Sequence, residues 1–113
     1  MSRASHELQT LKAEFFRALA HPARIRLLEV LSADGEQSVQ ALQLRLDRDQ
    51  PIVSQQLAKL RASGIVVSTK EGTSVKYALA DPRIADLLSV AKAILNRRLT
   101  NHRTLLHELR RQN

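Results

Sequence analysis

From Glu7 to Leu19, apolar residues recur at Leu8, Leu11, Phe15 and Leu19, a spacing that predicts a helix with one apolar face. The pattern stops at His21-Pro22, because the residue before a proline is pushed out of the α region. Pro22 suits the first turn of a second helix, where its missing N–H has no bond to make. That helix carries Ile25, Leu28 and Leu31 on one face and is expected to stop at the turn pair Asp34-Gly35. Ser38 is placed to cap a short third helix bearing Val39, Leu42 and Leu46. Asp47-Arg48-Asp49 breaks the pattern. A fourth helix follows, with Asp49 or Gln50 as cap, Pro51 in its first turn and Val53, Leu57 and Leu60 as its buried stripe. Ser63-Gly64 ends it.

The period then changes. Ile65 to Thr69 is rich in β-branched residues, and Ser74 to Leu79 alternates, with Val75, Tyr77 and Leu79 on one face. Lys70-Glu71-Gly72-Thr73 reads as the turn between them, so this unit is a β-hairpin. Asp81-Pro82 starts another helix, and neither proline nor glycine interrupts the chain from there to Arg111. One helix of roughly 28 residues, about 42 Å long, is the expectation. Its apolar stripe is Leu88, Ala91, Leu95, Leu99, Leu106 and Leu109, with His102 inside it.

The element order is therefore three helices, a tight turn, a helix, a hairpin and a long helix. Helices three and four have the dimensions of a helix-turn-helix, whose second member enters the DNA major groove. The outward side of the fourth helix offers Gln50, Ser54, Gln55, Gln56 and Lys59, mostly neutral hydrogen-bonding groups. Glutamine pairs bidentately with adenine, and serine serves several base edges. Lys59 and Arg61 are long enough to reach phosphates, and Lys70, Thr73 and Lys76 surround the hairpin tip.

Composition strengthens this picture. The chain has 113 residues, the size of one domain, and carries 18 Lys and Arg against 11 Asp and Glu, a net charge of +7. Such an excess favours polyanionic partners, nucleic acid or an anionic membrane surface. Only 3% of residues are aromatic (Phe15, Phe16 and Tyr77), so the core must be aliphatic, which suits packed helices. The absence of cysteine removes disulfides, thiol redox chemistry and Cys-ligated zinc. No apolar run is long enough to span a bilayer, and Met1 to Gln9 lacks the apolar region of a secretory signal, so a cytoplasmic location without membrane contact is expected. No enzyme is expected either. The three glycines Gly35, Gly64 and Gly72 are isolated, which excludes a phosphate-cradling loop, and no metalloprotease or nucleophile-elbow motif occurs.

Two long segments resemble the ArsR/SmtB-type repressors. Phe16-Arg17-Ala18-Leu19-Ala20-His21-Pro22-Ala23-Arg24-Ile25-Arg26-Leu27-Leu28 looks like that family's opening segment. Val53 to Val66 looks like its recognition helix running into the wing, and Gly72 to Leu79 with Asp81-Pro82 like the wing and its exit. The resemblance spans about Glu7 to Leu109 and implies one winged helix-turn-helix domain over 1–113, mainly α with a small β-hairpin. The helix-turn-helix would lie at about 38–63 and the wing at about 65–79. The family implies a homodimer joined through helices at about 5–20 and 82–110, which puts Leu8, Leu11, Leu88, Ala91, Leu95, Leu99, His102 and Leu106 at the seam. It also implies that Gln50, Ser54 and Gln55 touch bases, and that the chain represses transcription from a pseudo-palindromic operator in double-stranded DNA.

Members of the family often bind metal through Cys in the third helix or through Asp and His on the last. Here Val39-Gln40-Ala41-Leu42 carries no thiol, and only Asp86 and His102 occupy last-helix ligand places, the other two holding Leu88 and Leu99. A transition-metal site needs three or four donors. No metal cofactor is expected, the weak candidates for a divalent ion such as nickel or zinc being Asp86, His102 and His107 with Glu108. His102 and His107, five apart, fall on different helix faces. His21 reads as a helix-boundary residue and His6 lies on the first helix. A histidine in a dimer seam titrates near neutral pH and would loosen the seam when charged, which is the alternative role for His102. The competing readings are a winged-helix module that docks on another protein, and a repressor whose effector is sensed at a non-standard His site or by a separate partner protein.

Overall fold

The computed structural model of the chain describes residues 2–99 and 103–112. Helix α1 spans Arg3–Leu19, and Ser2 caps it by accepting the Ser5 N–H at 3.1 Å on its hydroxyl. Helix α2, Pro22–Asp34, begins at His21, whose Nδ1 accepts the Ala23 N–H at 3.1 Å. That bond makes His21 a cap and fixes its ring proton on Nε2 when the ring is neutral. A two-residue strand β1, Gln37–Ser38, leads into α3, Val39–Leu46, and Ser38 serves both: its hydroxyl accepts the Ala41 N–H at 3.1 Å.

Asp47, in the left-handed region at φ 52°, turns the chain out of α3 and towards α4, Gln50–Ala62. Aspartate tolerates this conformation better than most residues do. At the far end of α4, Gly64 adopts φ 73°; its N–H bonds the Arg61 carbonyl at 3.0 Å and the Ile65 N–H bonds the Leu60 carbonyl at 2.9 Å. This pair of bonds is the Schellman motif, and the buried Ile65 and Leu60 supply its apolar contact.

Strands β2, Val66–Glu71, and β3, Ser74–Leu79, pair antiparallel from Val66 opposite Leu79 to Glu71 opposite Ser74. The hairpin is longer at its tip than its sequence suggests, because Lys70 and Glu71 extend β2. Only Gly72-Thr73 turns, with Gly72 at φ 60° in the first loop position, where a two-residue hairpin needs a positive φ. Strand β1 adds to the outer side of β3 through Gln37 opposite Tyr77, giving a three-stranded sheet in the order β1-β3-β2.

The core lies where α2 meets α3, α4, the sheet and α5, Arg83–Arg98. Leu27, Leu28, Leu42, Leu57 and Leu60 are fully buried in it, with Val30, Val53, Ile65 and Val66 beside them. Each such side chain contributes about 1.5–3 kcal/mol relative to exposure. Helix α2 therefore buries Leu27 and Val30 as well as the expected Leu28 and Leu31, while Ile25 stays exposed. Its several neighbours demand a wider apolar arc than a single stripe.

The single long C-terminal helix is not formed. Helix α5 ends at Arg98 with Leu99 as its cap, and α6, Arg103–Arg111, packs back against it, the Lys92 ammonium donating to the Gln112 carbonyl. The physical reason is burial: a straight helix would leave Leu106 and Leu109 in water, whereas both are half-buried on α6. His102 lies outside the described residues.

Candidate nucleic-acid interface

Helix α4 is pinned on one side. Val53, Leu57 and Leu60 face the core, and the Arg24 guanidinium donates through Nε to Oε1 of Gln56 at 2.9 Å. The same arginine donates through Nη1 to the Ala18 carbonyl at 3.1 Å. Gln56 is only 7% exposed, so it does not belong to the outward face on which its sequence position had put it. The apolar stripe of α4 is wide enough to enclose a polar residue between Val53 and Leu60, provided that residue has a partner. The sequence held the partner, but 32 positions away at Arg24.

The opposite side of α4 is free. Gln50, Gln55, Lys59 and Arg61 are exposed and Ser54 is half-exposed. From Gln50 to Ala62 the helix contains no acid, and its two basic residues fall in the last turn. On the hairpin, Lys70 and Thr73 are exposed at the tip. Lys76 is half-buried, and its ammonium lies 3.6 Å from a carboxylate oxygen of Glu71 across the hairpin. The fold thus brings a polar, cationic helix face and a basic hairpin into one continuous segment through Gly64-Ile65.

A second surface is apolar. Leu8 and Leu11 are 54% and 61% exposed on α1, and Phe15 and Phe16 meet edge to face at 5.5 Å beside them. Helix α1 buries only Ala18 and Leu19. On α5, Ala91 and Leu95 are exposed, whereas Leu88 leans on the core and Leu99 is half-buried. Val90 and Ile94 are exposed as well and were not among the seam residues read from the sequence. Their signal was present as a second apolar row next to Ala91 and Leu95, which a single heptad-like stripe overlooks. Leu106 belongs to α6 and does not prolong the α5 row.

Asp86 lies in the first turn of α5 and His107 on α6, both exposed. Among the described residues no three His, Asp or Glu side chains converge. Asp86 and His107 of one chain supply two donors, fewer than the three that a tetrahedral transition-metal site takes, and His102 lies outside the described residues. At the exit from the wing, Asp81 receives the Arg83 backbone N–H at 2.9 Å and the Arg83 guanidinium at 2.7 Å. These bonds hold the Asp81 carboxyl well down from 3.8, at about 2, and push Arg83 up.

A family model described as HVO_A0114 matches residues 19–81, the stretch from the end of α1 to the exit of the wing. The HTH-type transcriptional regulator Rv0081 of Mycobacterium tuberculosis is 42% identical over 106 residues, 94% of this chain and 93% of that protein. The chain belongs to the ArsR/SmtB-type winged helix-turn-helix transcriptional regulators. This regulator superposes on the crystal structure of Rv0081 with a TM-score of 0.75 at 44% identity, over 84% of this chain and 95% of that one. The homodimeric winged helix-turn-helix domain of Mb0332 from Mycobacterium bovis, solved by NMR, gives a TM-score of 0.79 at 26% identity, over 90% and 94% of the two chains. The biofilm growth-associated repressor of Agrobacterium fabrum is 42% identical over 91 residues, 80% of this chain and 77% of that protein. The regulator is accordingly not an enzyme. No helix among its described residues is long and apolar enough to cross a membrane.

Proposed function

We propose that this regulator is a repressor that binds a pseudo-palindromic operator as a homodimer, reading bases with α4 and gripping the backbone with the wing. The observation that carries the reading is the two-sided character of α4. Val53, Gln56, Leu57 and Leu60 are locked inward, while an acid-free outward face presents Gln50, Ser54 and Gln55 followed by Lys59 and Arg61. Neutral amides and a hydroxyl near the N-terminus suit base edges, and cations further along suit phosphates. Lys70, Thr73 and Lys76 of the wing reach the flanking backbone.

The dimer is supported by the apolar faces of α1 and α5, which are exposed in the single chain and which two copies would cover mutually. The homodimeric Mb0332 domain shares this fold, and the Agrobacterium relative is a repressor. Two α4 helices related by a two-fold axis would read half-sites about 10–10.5 base pairs apart, or a multiple of that. An electrophoretic shift on DNA from the gene's own upstream region tests the reading. Retardation that weakens steeply with salt is expected, because each neutralised phosphate releases counterions. Clean dimerisation with no retardation would instead favour docking on another protein.

A further inference from the structure

Ile52 is the large apolar side chain on α4 that the core does not take. It is 40% exposed, whereas Val53, Leu57 and Leu60 are 1% exposed or less, and it is absent from the buried cluster and from the residues packed against that cluster. A single exposed isoleucine has no significance in itself. Its position gives it one. Ile52 occupies the first turn of α4, the part of a recognition helix that meets base edges, and Gln55 and Lys59 follow at i+3 and i+7 along the same helical row. A docking that brings Gln55 to a base and Lys59 to a phosphate carries Ile52, one turn before Gln55 on the same row, into the groove as well.

The chemistry of the groove then narrows the choice. Guanine, adenine and cytosine present acceptors and amino donors along the major-groove edge, and an isoleucine pressed on these would strip their water and return no hydrogen bond. Thymine alone presents a methyl group. We infer that Ile52 is a specificity-determining residue that packs on the 5-methyl group of one thymine in each half-site. This inference rests on the DNA-binding reading above and adds a base preference that hydrogen-bonding residues cannot supply.

The test uses the full chain and the duplex it enriches best from a randomised library. Each thymine of that duplex is replaced in turn by deoxyuridine, which removes only the methyl group, and affinity is measured at one fixed moderate salt concentration. At one thymine per half-site the replacement should weaken binding about fourfold (about 0.8 kcal/mol, the burial of one methyl), and about 16-fold when made in both halves. For Ile52→Ala the same replacements should cost less than about 1.5-fold, because no methyl contact remains to be lost. Thermal unfolding and dimerisation of Ile52→Ala should match those of the unaltered protein, since the residue is outside the core. The inference is overturned if no thymine is methyl-sensitive, or if deoxyuridine penalises both proteins equally. Failure to enrich any duplex would overturn the DNA-binding reading itself, and Ile52 with it.

Discussion

Arg24 on α2 and Gln56 on α4 are joined by a 2.9 Å hydrogen bond, and the remaining reach of the guanidinium takes the Ala18 carbonyl at the end of α1. One side chain thus fastens α1 and α4 to the same core helix. The pair also separates two adjacent glutamines by role: Gln56 is inside and Gln55 outside. Gln56→Ala would leave part of the Arg24 fork unpaired in a half-buried place, at a cost of about 1–3 kcal/mol. Its urea unfolding midpoint should fall while the enriched DNA sequence stays the same. Gln55→Ala should do the reverse, keeping the midpoint and relaxing preference at one base position.

The wing pairs one of its own cations with a carboxylate. Glu71 neutralises Lys76 at 3.6 Å, and a lysine so engaged is less available to a phosphate. Glu71→Gln should therefore raise affinity for all duplexes alike and steepen the dependence of log K on log salt by less than about 1 per subunit. Lys76→Ala should weaken binding uniformly and flatten that slope by the remainder, the two changes together amounting to about 1 per subunit. Affinity measured from low to moderate salt checks both.

The dimer seam is testable without disturbing the core. Leu11 and Ile94 are 61% and 59% exposed in the single chain, so Leu11→Glu or Ile94→Glu should leave each subunit folded but place a charge in the interface. Sedimentation should show monomers. Operator affinity should drop by orders of magnitude, since one half-site supplies only part of the contacts. A dimer that persists in both variants would move the interface elsewhere.

Acid stability should carry the mark of Asp81. Its carboxyl is lowered to about 2 in the folded chain, against 3.8 as the ordinary value, chiefly by the hydrogen bonds from Arg83. A depressed carboxylate contributes stability above its unfolded value, and that contribution disappears as the pH falls from 3.8 through about 2. The unaltered protein should therefore melt above Asp81→Ala by a constant margin at pH 5 to 7. The margin should shrink over the acid window, as melting curves taken through it would record.

Most of the fold is legible in the chain because its punctuation is local. Pro22, Ser38, Pro51, Gly64 and Gly72 each mark an element boundary by their own backbone preference, and the structure uses every one of them there. What escaped depends on residues far apart in sequence. Strand β1 is two residues long and exists only because β3 passes beside Ser38. Gln56 reads as an outward glutamine until Arg24 is brought to it. The break after Leu99 carries no proline or glycine, and the return of α6 depends on apolar contacts that no periodicity within one helix reveals. Val90 and Ile94 belong to an exposed apolar row wider than a single heptad-like stripe.

Whether the outward face of α4 reads DNA in a symmetric dimer is decided by enriching bound duplexes from a genomic fragment library with the full chain at moderate salt. The expected result is an inverted repeat whose half-sites lie about 10–10.5 base pairs apart or a multiple, and loss of its preferred bases when Gln55 is replaced by alanine. Recovery of no sequence above background by a well-folded dimer, or an enriched sequence indifferent to Gln55→Ala, Ser54→Ala and Gln50→Ala alike, would contradict it.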